Sequence, residues 1–143
     1  MKHVHHHRVR FGDCDSAGIV YFPRYFDWFH QAMETWFDQA LGLPYSELIL
    51  ERELGLPCVH TEADYKAGCR LGEDIEVVLS VGRLGSSSIR LDYVVQNSQG
   101  ELKATGHSVV VVAHMLREGG VKAARLEGDL RQRIEAFMAD SPS

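Results

Sequence analysis

Pro23-Arg24-Tyr25-Phe26-Asp27-Trp28-Phe29-His30-Gln31-Ala32-Met33-Glu34-Thr35-Trp36-Phe37-Asp38-Gln39-Ala40-Leu41-Gly42 is the stretch on which the fold turns. Phe26, Phe29, Met33, Trp36, Phe37 and Ala40 recur at three- and four-residue intervals, the period of an apolar helical stripe about five turns long. Arg24, Asp27, Gln31, Glu34 and Asp38 occupy much of the remaining surface. Pro23 suits the first helical position, where a backbone N–H would lack an intrahelical partner anyway. Gly42 suits the residue that closes the helix, and Pro44 prevents it from resuming. A long helix is therefore predicted over 23–41. Shorter ones are predicted over 44–53 and 127–139, the latter with Leu130, Ile134, Phe137 and Met138 in phase.

Outward from this helix, the segments 4–11, 56–66, 74–82, 88–96 and 101–116 read as strands. Ile75, Val77, Leu79 and Val81 alternate, as do Ile89, Leu91, Tyr93 and Val95, which marks half-buried antiparallel strands. The run Val109-Val110-Val111-Val112 reads as buried on both faces. Gly68 and Gly72, Gly82 and Gly85, and Asn97-Ser98-Gln99-Gly100 supply the turns. No repeat or low-complexity linker divides the 143 residues, so a single domain over 1–143 is expected. One strand, a very apolar helix, four more strands and a last helix give the α+β class, with a five-stranded antiparallel sheet wrapped around the helix. Such a sheet leaves edge strands, which pairing between subunits would satisfy.

Composition narrows the function. A hydrophobic share of 45% with 24% charged residues is that of an ordinary globular protein and excludes disorder. No apolar run approaches the roughly 20 residues that span a bilayer, and residues 1–7 lack the apolar core of a secretory signal. A cytoplasmic protein with no membrane partner is the expectation. Fifteen basic against twenty acidic residues, a net charge of −5, argue against a nucleic-acid partner. Cys14, Cys58 and Cys69 match no zinc spacing and read as reduced thiols, Cys58 and Cys69 in or near the core. His3, His5, His6 and His7 read as a solvated first strand, and no metal site or cofactor is expected.

The densest cluster of unusual residues is Phe11-Gly12-Asp13-Cys14-Asp15-Ser16-Ala17-Gly18-Ile19-Val20-Tyr21-Phe22-Pro23, between the first strand and the long helix. The start of a helix offers unpaired N–H groups that favour negative charge. A carboxylate beside such a terminus is a minimal acyl-transfer kit, because the N–H groups hold the oxyanion while the carboxylate attacks or activates water. The kit is weak for an amide and adequate for a thioester, whose leaving group is a thiolate. Aspartates before a helix are also ordinary turn and capping residues. Cys14 is a poor nucleophile here, since flanking carboxylates raise a thiol's pKa. There is no G-x-S-x-G elbow, no Walker loop and no H-E-x-x-H.

The run from Phe11 to Phe29 resembles the D-x-D-x-x-G-[IV]-V-[YW]-[YFH]-x-x-[YF] pattern of the 4-hydroxybenzoyl-CoA thioesterase family, proteins of the hotdog fold. Tyr65-Lys66-Ala67-Gly68-Cys69-Arg70-Leu71-Gly72-Glu73-Asp74-Ile75-Glu76-Val77 is similar to a second family segment, with Gly68 where proline is usual. The strand order agrees over approximately 4–139. The resemblance implies an acyl-CoA thioesterase with Asp15 as nucleophile or general base and the Phe22 N–H polarising the thioester carbonyl. It implies a homodimer or homotetramer whose sites form between subunits, with aromatic acyl-CoA the leading substrate and short or branched aliphatic acyl-CoA second. Tyr21, Tyr25 and Trp28 are candidate walls of the acyl pocket, and His30, about two turns along the helix, a candidate partner for a polar group on the substrate. Arg83, Ser87 and Ser88 are candidate contacts to the CoA phosphates; Lys122 and Arg125 are weaker ones. A hotdog hydratase or dehydratase, and a non-catalytic acyl-CoA-binding protein, are the alternative readings.

Overall fold

In the computed structural model, which describes residues 1–139, the long helix buries the stripe its spacing implies. α1 (Arg24–Thr35) runs directly into a π-helical segment, Trp36–Leu41, and Gly42 ends it in the left-handed region at φ 67°. Tyr25, Trp28, Phe29, Ala32 and Met33 are buried, followed by Trp36, Phe37 and Leu41. The wider π-helical turn moves the buried face by one residue, so Ala40, expected in the stripe, is exposed and Leu41 takes its place.

Five strands surround this helix: β1 (His3–Arg8), β3 (Cys58–Tyr65), β4 (Asp74–Leu84), β5 (Ser88–Asn97) and β6 (Leu102–Val111). They form one antiparallel sheet in the order β1-β4-β5-β6-β3, with β4, β5 and β6 a meander and β1 and β3 the edges. Ile75, Val77 and Leu79 of β4 and Ile89, Leu91, Tyr93 and Val95 of β5 point inward and are buried. The α+β class and the sheet wrapped on the helix are as expected. Phe29 stacks flat on Tyr93, with centroids 4.3 Å apart and planes 2° apart. Gly106 lets the Phe29 ring approach β6; a Cβ there would meet that ring and the Glu62 carbonyl. Burying each large side chain of this core contributes about 1.5–3 kcal/mol.

Several expectations need correction. The segment 101–116 is not one strand: it breaks at Val112, and β7 (Ala113–Met115) joins β2 (Leu54–Gly55) and β8 (Val121–Ala123) in a separate three-stranded sheet. The four valines are not buried on both faces. Val110 and Val112 are buried, while Val109 and Val111 sit half-exposed because nothing among the described residues covers the outer face. The first strand is not solvated: His3 is buried, and His5 and His7 are partly so, because alternate residues of β1 face α1. Cys58 is exposed on edge strand β3 rather than buried, while Cys69 is in the core as expected.

Two further helices close the ends. α2 (Tyr45–Leu50) and α3 (Gly128–Ala139) are tied by Arg52, whose guanidinium grips both carboxylate oxygens of Asp129 at 2.7 and 2.8 Å. Residues 140–143 of the expected domain lie outside the described residues. No helix among those described is long and apolar enough to cross a membrane.

Candidate active site

The loop between β1 and α1 folds back on itself as a small ribbon. Cys14 bridges Val20, Asp15 N–H donates to the Ile19 carbonyl at 3.0 Å, and Tyr21 N–H donates to the Asp13 carbonyl at 2.9 Å. Gly18, at φ 75°, makes the reversal, a conformation that residues with a Cβ rarely adopt. A second loop, 66–73, fastens the ribbon: Val20 N–H donates to the Cys69 carbonyl and Leu71 N–H to the Gly18 carbonyl. The two stretches singled out by their motifs are thus physically one unit.

Within it the two aspartates have different surroundings. Asp13 is half-buried and its Oδ2 accepts from the Arg10 N–H and faces His7 Nε2, each at 2.9 Å. Burial alone would raise this carboxyl, but the Arg10 amide and His7 outweigh it and hold it below the usual carboxylate range. Asp15 is exposed, with Oδ1 accepting from the Ala17 N–H at 2.9 Å and Oδ2 without a hydrogen-bond partner among the described residues. Cys14, between them, has its thiol pushed up by desolvation and by both aspartates, so it is no ready nucleophile.

The ribbon delivers the chain to the first turn of α1. Arg24 N–H donates to Tyr21 and Tyr25 N–H to Phe22, while Pro23 has no N–H. The Phe22 N–H donates to no acceptor among the described residues. Phe22 is exposed, with Tyr21 and Tyr65 packed beside it and also open to solvent. Tyr65 was missed as a site residue although it heads the second motif. Its ring packs edge-on against Phe22 at 6.1 Å and Tyr25 at 5.0 Å, and its hydroxyl donates to the Phe22 carbonyl at 3.3 Å. Val20, Phe22, Tyr25, Tyr65 and Ala67 line a shallow cleft of about 280 Å³ here. Tyr21 is exposed beside it. Tyr25 is 3% exposed, and burial first, then its hydrogen bond to Cys69 Sγ, push its hydroxyl far up.

The other candidates lie elsewhere in the chain. His30 is exposed, paired with Glu34 at 2.9 Å, at the mouth of an apolar cavity of about 200 Å³. That cavity opens between α1 and the sheet, lined by Phe26, Phe29, Met33, Leu56, Cys58 and Tyr93, with Thr61 and Ser108 as its polar groups. Of the lining, the helical period signals Phe26, Phe29 and Met33. Arg83, Ser87 and Ser88 are at the β4–β5 hairpin, roughly 30 Å along β4 from the Asp74 end where the ribbon sits. The structure does not bring them to Asp15 within one chain. They share their end of the sheet with Arg125 and Arg131, which line a cleft with Gly85 and Ser86.

Residues 9–134 match the family model described as the thioesterase-like superfamily. The chain belongs to that superfamily. This thioesterase-like chain is 37% identical over 86 residues to a 1,4-dihydroxy-2-naphthoyl-CoA hydrolase of Synechococcus elongatus, spanning 59% of this chain and 62% of that protein. It superposes on a gentisyl-coenzyme A thioesterase with a TM-score of 0.79 at 32% identity, covering 90% of this chain and 98% of the other. The 4-hydroxybenzoyl-CoA thioesterase of Pseudomonas sp. strain CBS-3 superposes with a TM-score of 0.82 at 24% identity, covering 92% and 98%, and shares the fold. This thioesterase-like chain therefore has the hotdog fold, as its motifs implied.

Proposed function

We propose that the protein hydrolyses acyl-CoA thioesters, with a hydroxylated aromatic acyl group as the preferred substrate class. The observation that carries this reading is the unpaired Phe22 N–H at the start of α1, on the same ribbon as the solvent-facing Asp15. The thioester carbonyl accepts from the Phe22 N–H, which stabilises the oxyanion as the carbonyl carbon becomes tetrahedral. Asp15 either takes a proton from the attacking water or attacks that carbon itself, giving a mixed anhydride that water hydrolyses after the thiolate has left, restoring the Asp15 carboxylate. The C–S bond then breaks, CoA leaves as a thiolate, and the acyl group ends as a carboxylate. The names of the relatives, a dihydroxynaphthoyl-CoA hydrolase and a gentisyl-CoA thioesterase, support the aromatic class.

The reading includes a two-fold dimer through β3, extended in a homotetramer if dimers pair further. β3 is exposed along nearly its whole length, with an unpaired edge. Strand registers support this reading. Cys58 pairs with Val110 and Ser88 with Val111, so Cys58, the hairpin and the mouth of the α1 cavity share one end of the sheet. Tyr65, which holds Phe22, is at the other end of β3. Antiparallel pairing of two β3 strands brings the opposite ends together. One subunit then supplies Asp15, Tyr21 and Phe22, with Tyr25 behind them. Its partner supplies the cavity with His30 for the acyl ring and Arg83, Ser87 and Ser88 for the CoA phosphates. Thiol release measured over a panel of aromatic and aliphatic acyl-CoA thioesters tests this reading. Loss of enoyl absorbance without free thiol would instead mark a hydratase, and tight binding without turnover a non-catalytic acyl-CoA-binding protein.

A further inference from the structure

The outer face of the sheet carries a polar cluster that the proposed thioesterase site does not use. His60 and Glu62 are alternate residues of β3, and Glu62 stands directly opposite His107 of β6. An irregularity between Cys58 and His60 sets this phase, pairing His60 with Val109. The His60 and His107 rings stack with centroids 5.3 Å apart and planes 29° apart. Glu62 Oε1 lies 3.0 Å from His107 Nε2 and 3.8 Å from His60 Nε2. The ligand atoms of the three residues all lie within 4.8 Å of one another.

We propose that His60, Glu62 and His107 bind a divalent first-row transition metal ion, with zinc the best match. Two imidazoles and one carboxylate are borderline ligands that suit zinc, whereas magnesium and calcium call for shells of six or more oxygens. Zinc bonds of about 2.0–2.2 Å place tetrahedral donors about 3.3 Å apart. The Glu62–His107 contact is already that short, and His60, at 55% exposure, is free to turn inward. All three side chains stand on hydrogen-bonded strands, so binding orders side chains and no backbone. His107 is only 16% exposed, which fixes one ligand in place. Asp92 stands opposite His107 on β5, with its carboxylate paired to Arg90 at 3.0 Å. Water fills the fourth position. The ion fastens edge strand β3 to β6 and takes no part in thioester chemistry, so its binding is measurable whether or not the protein is a thioesterase. No cysteine spacing announces this site, because register rather than sequence proximity assembles it.

Zinc titration of the metal-free protein at pH 7.5 against a chromophoric chelator, paired with thermal melts, tests the site. Wild type takes up one zinc per chain with micromolar affinity, and its melting temperature rises with zinc. His60→Ala and His107→Ala each weaken uptake by roughly 10–100-fold or more and remove the melting shift, while their zinc-free circular dichroism remains that of the folded protein. His6→Ala, at an exposed position of β1, retains both responses, which separates this site from the N-terminal histidines. Acidification releases the ion, because the imidazole ligands must be neutral. Equal uptake by wild type and His107→Ala, or no uptake by wild type at micromolar zinc, overturns the assignment.

Discussion

Asp13 and Asp15 are two residues apart and are held for different tasks. Asp13 is a brace: the Arg10 N–H and His7 Nε2 hold its carboxyl, and its pKa lies below the usual carboxylate range despite its burial. A group depressed in the fold contributes stability that is full above its unfolded value near 4. That contribution is lost as pH falls through the lower folded value. Asp13→Ala is expected to cost about 1.5–3 kcal/mol of stability at pH 7, with the deficit shrinking toward pH 3 in thermal melts. Asp15 is exposed and has one local hydrogen bond, so Asp15→Asn is expected to change stability by less than about 0.5 kcal/mol. The motif was readable in sequence, and the resemblance pointed to Asp15. The partnership of Asp13 with His7 was not readable, because it depends on which residues of β1 turn toward the ribbon.

β1 and α1 meet through histidines where a core normally has aliphatic residues. His3 Nε2 lies 2.8 Å and His5 Nδ1 3.2 Å from Thr35 Oγ1, and the His7 ring lies 5.1 Å from Trp28. Burial, reinforced by neighbouring histidines, holds His3 and His5 below the ordinary histidine value; a Gln31 hydrogen bond partly opposes this at His5. Because folding lowers both, their contribution to stability is full above the unfolded value of about 6.5 and is lost as pH falls through that value toward their lower folded ones. Denaturant unfolding is expected to weaken from pH 7.5 to pH 5, with a slope of up to about 1.4 kcal/mol per pH unit for each group, and His5→Gln is expected to flatten it. At the other side of the helix, Gly106→Ala forces a methyl against the Phe29 ring and the Glu62 carbonyl. Overpacking of this kind costs about 1–3 kcal/mol, read from the shift in unfolding midpoint. Periodicity located α1 and the strands within a few residues. It missed the π-helical end and the break at Val112, since neither changes the apolar pattern enough to be seen.

Across the whole molecule, the proposed site is divided between the two ends of one sheet, and the proposed pairing through β3 is what would reunite them. Val59, 61% exposed on β3, is at the surface through which pairing is proposed. Val59→Asp adds a carboxylate to an edge that already carries Glu62 and Asp64, so sedimentation is expected to show a shift from dimer or tetramer toward monomer, with thioesterase activity falling in parallel. The hairpin residues Arg83, Ser87 and Ser88 are candidate phosphate contacts on the strength of the family resemblance. Their distance from Asp15 within one chain was invisible there, because sequence gives a strand's identity more readily than its end of the sheet. The central claim is that Asp15 and the Phe22 N–H cleave a CoA thioester. It is tested most directly by thiol release from a hydroxylated aromatic acyl-CoA by wild type and by Asp15→Asn, at matched folding. Wild type is expected to turn over the thioester and Asp15→Asn to lose roughly 10²–10⁴-fold in kcat. Full activity in Asp15→Asn, or no thiol release by wild type from any thioester of the panel, would contradict it.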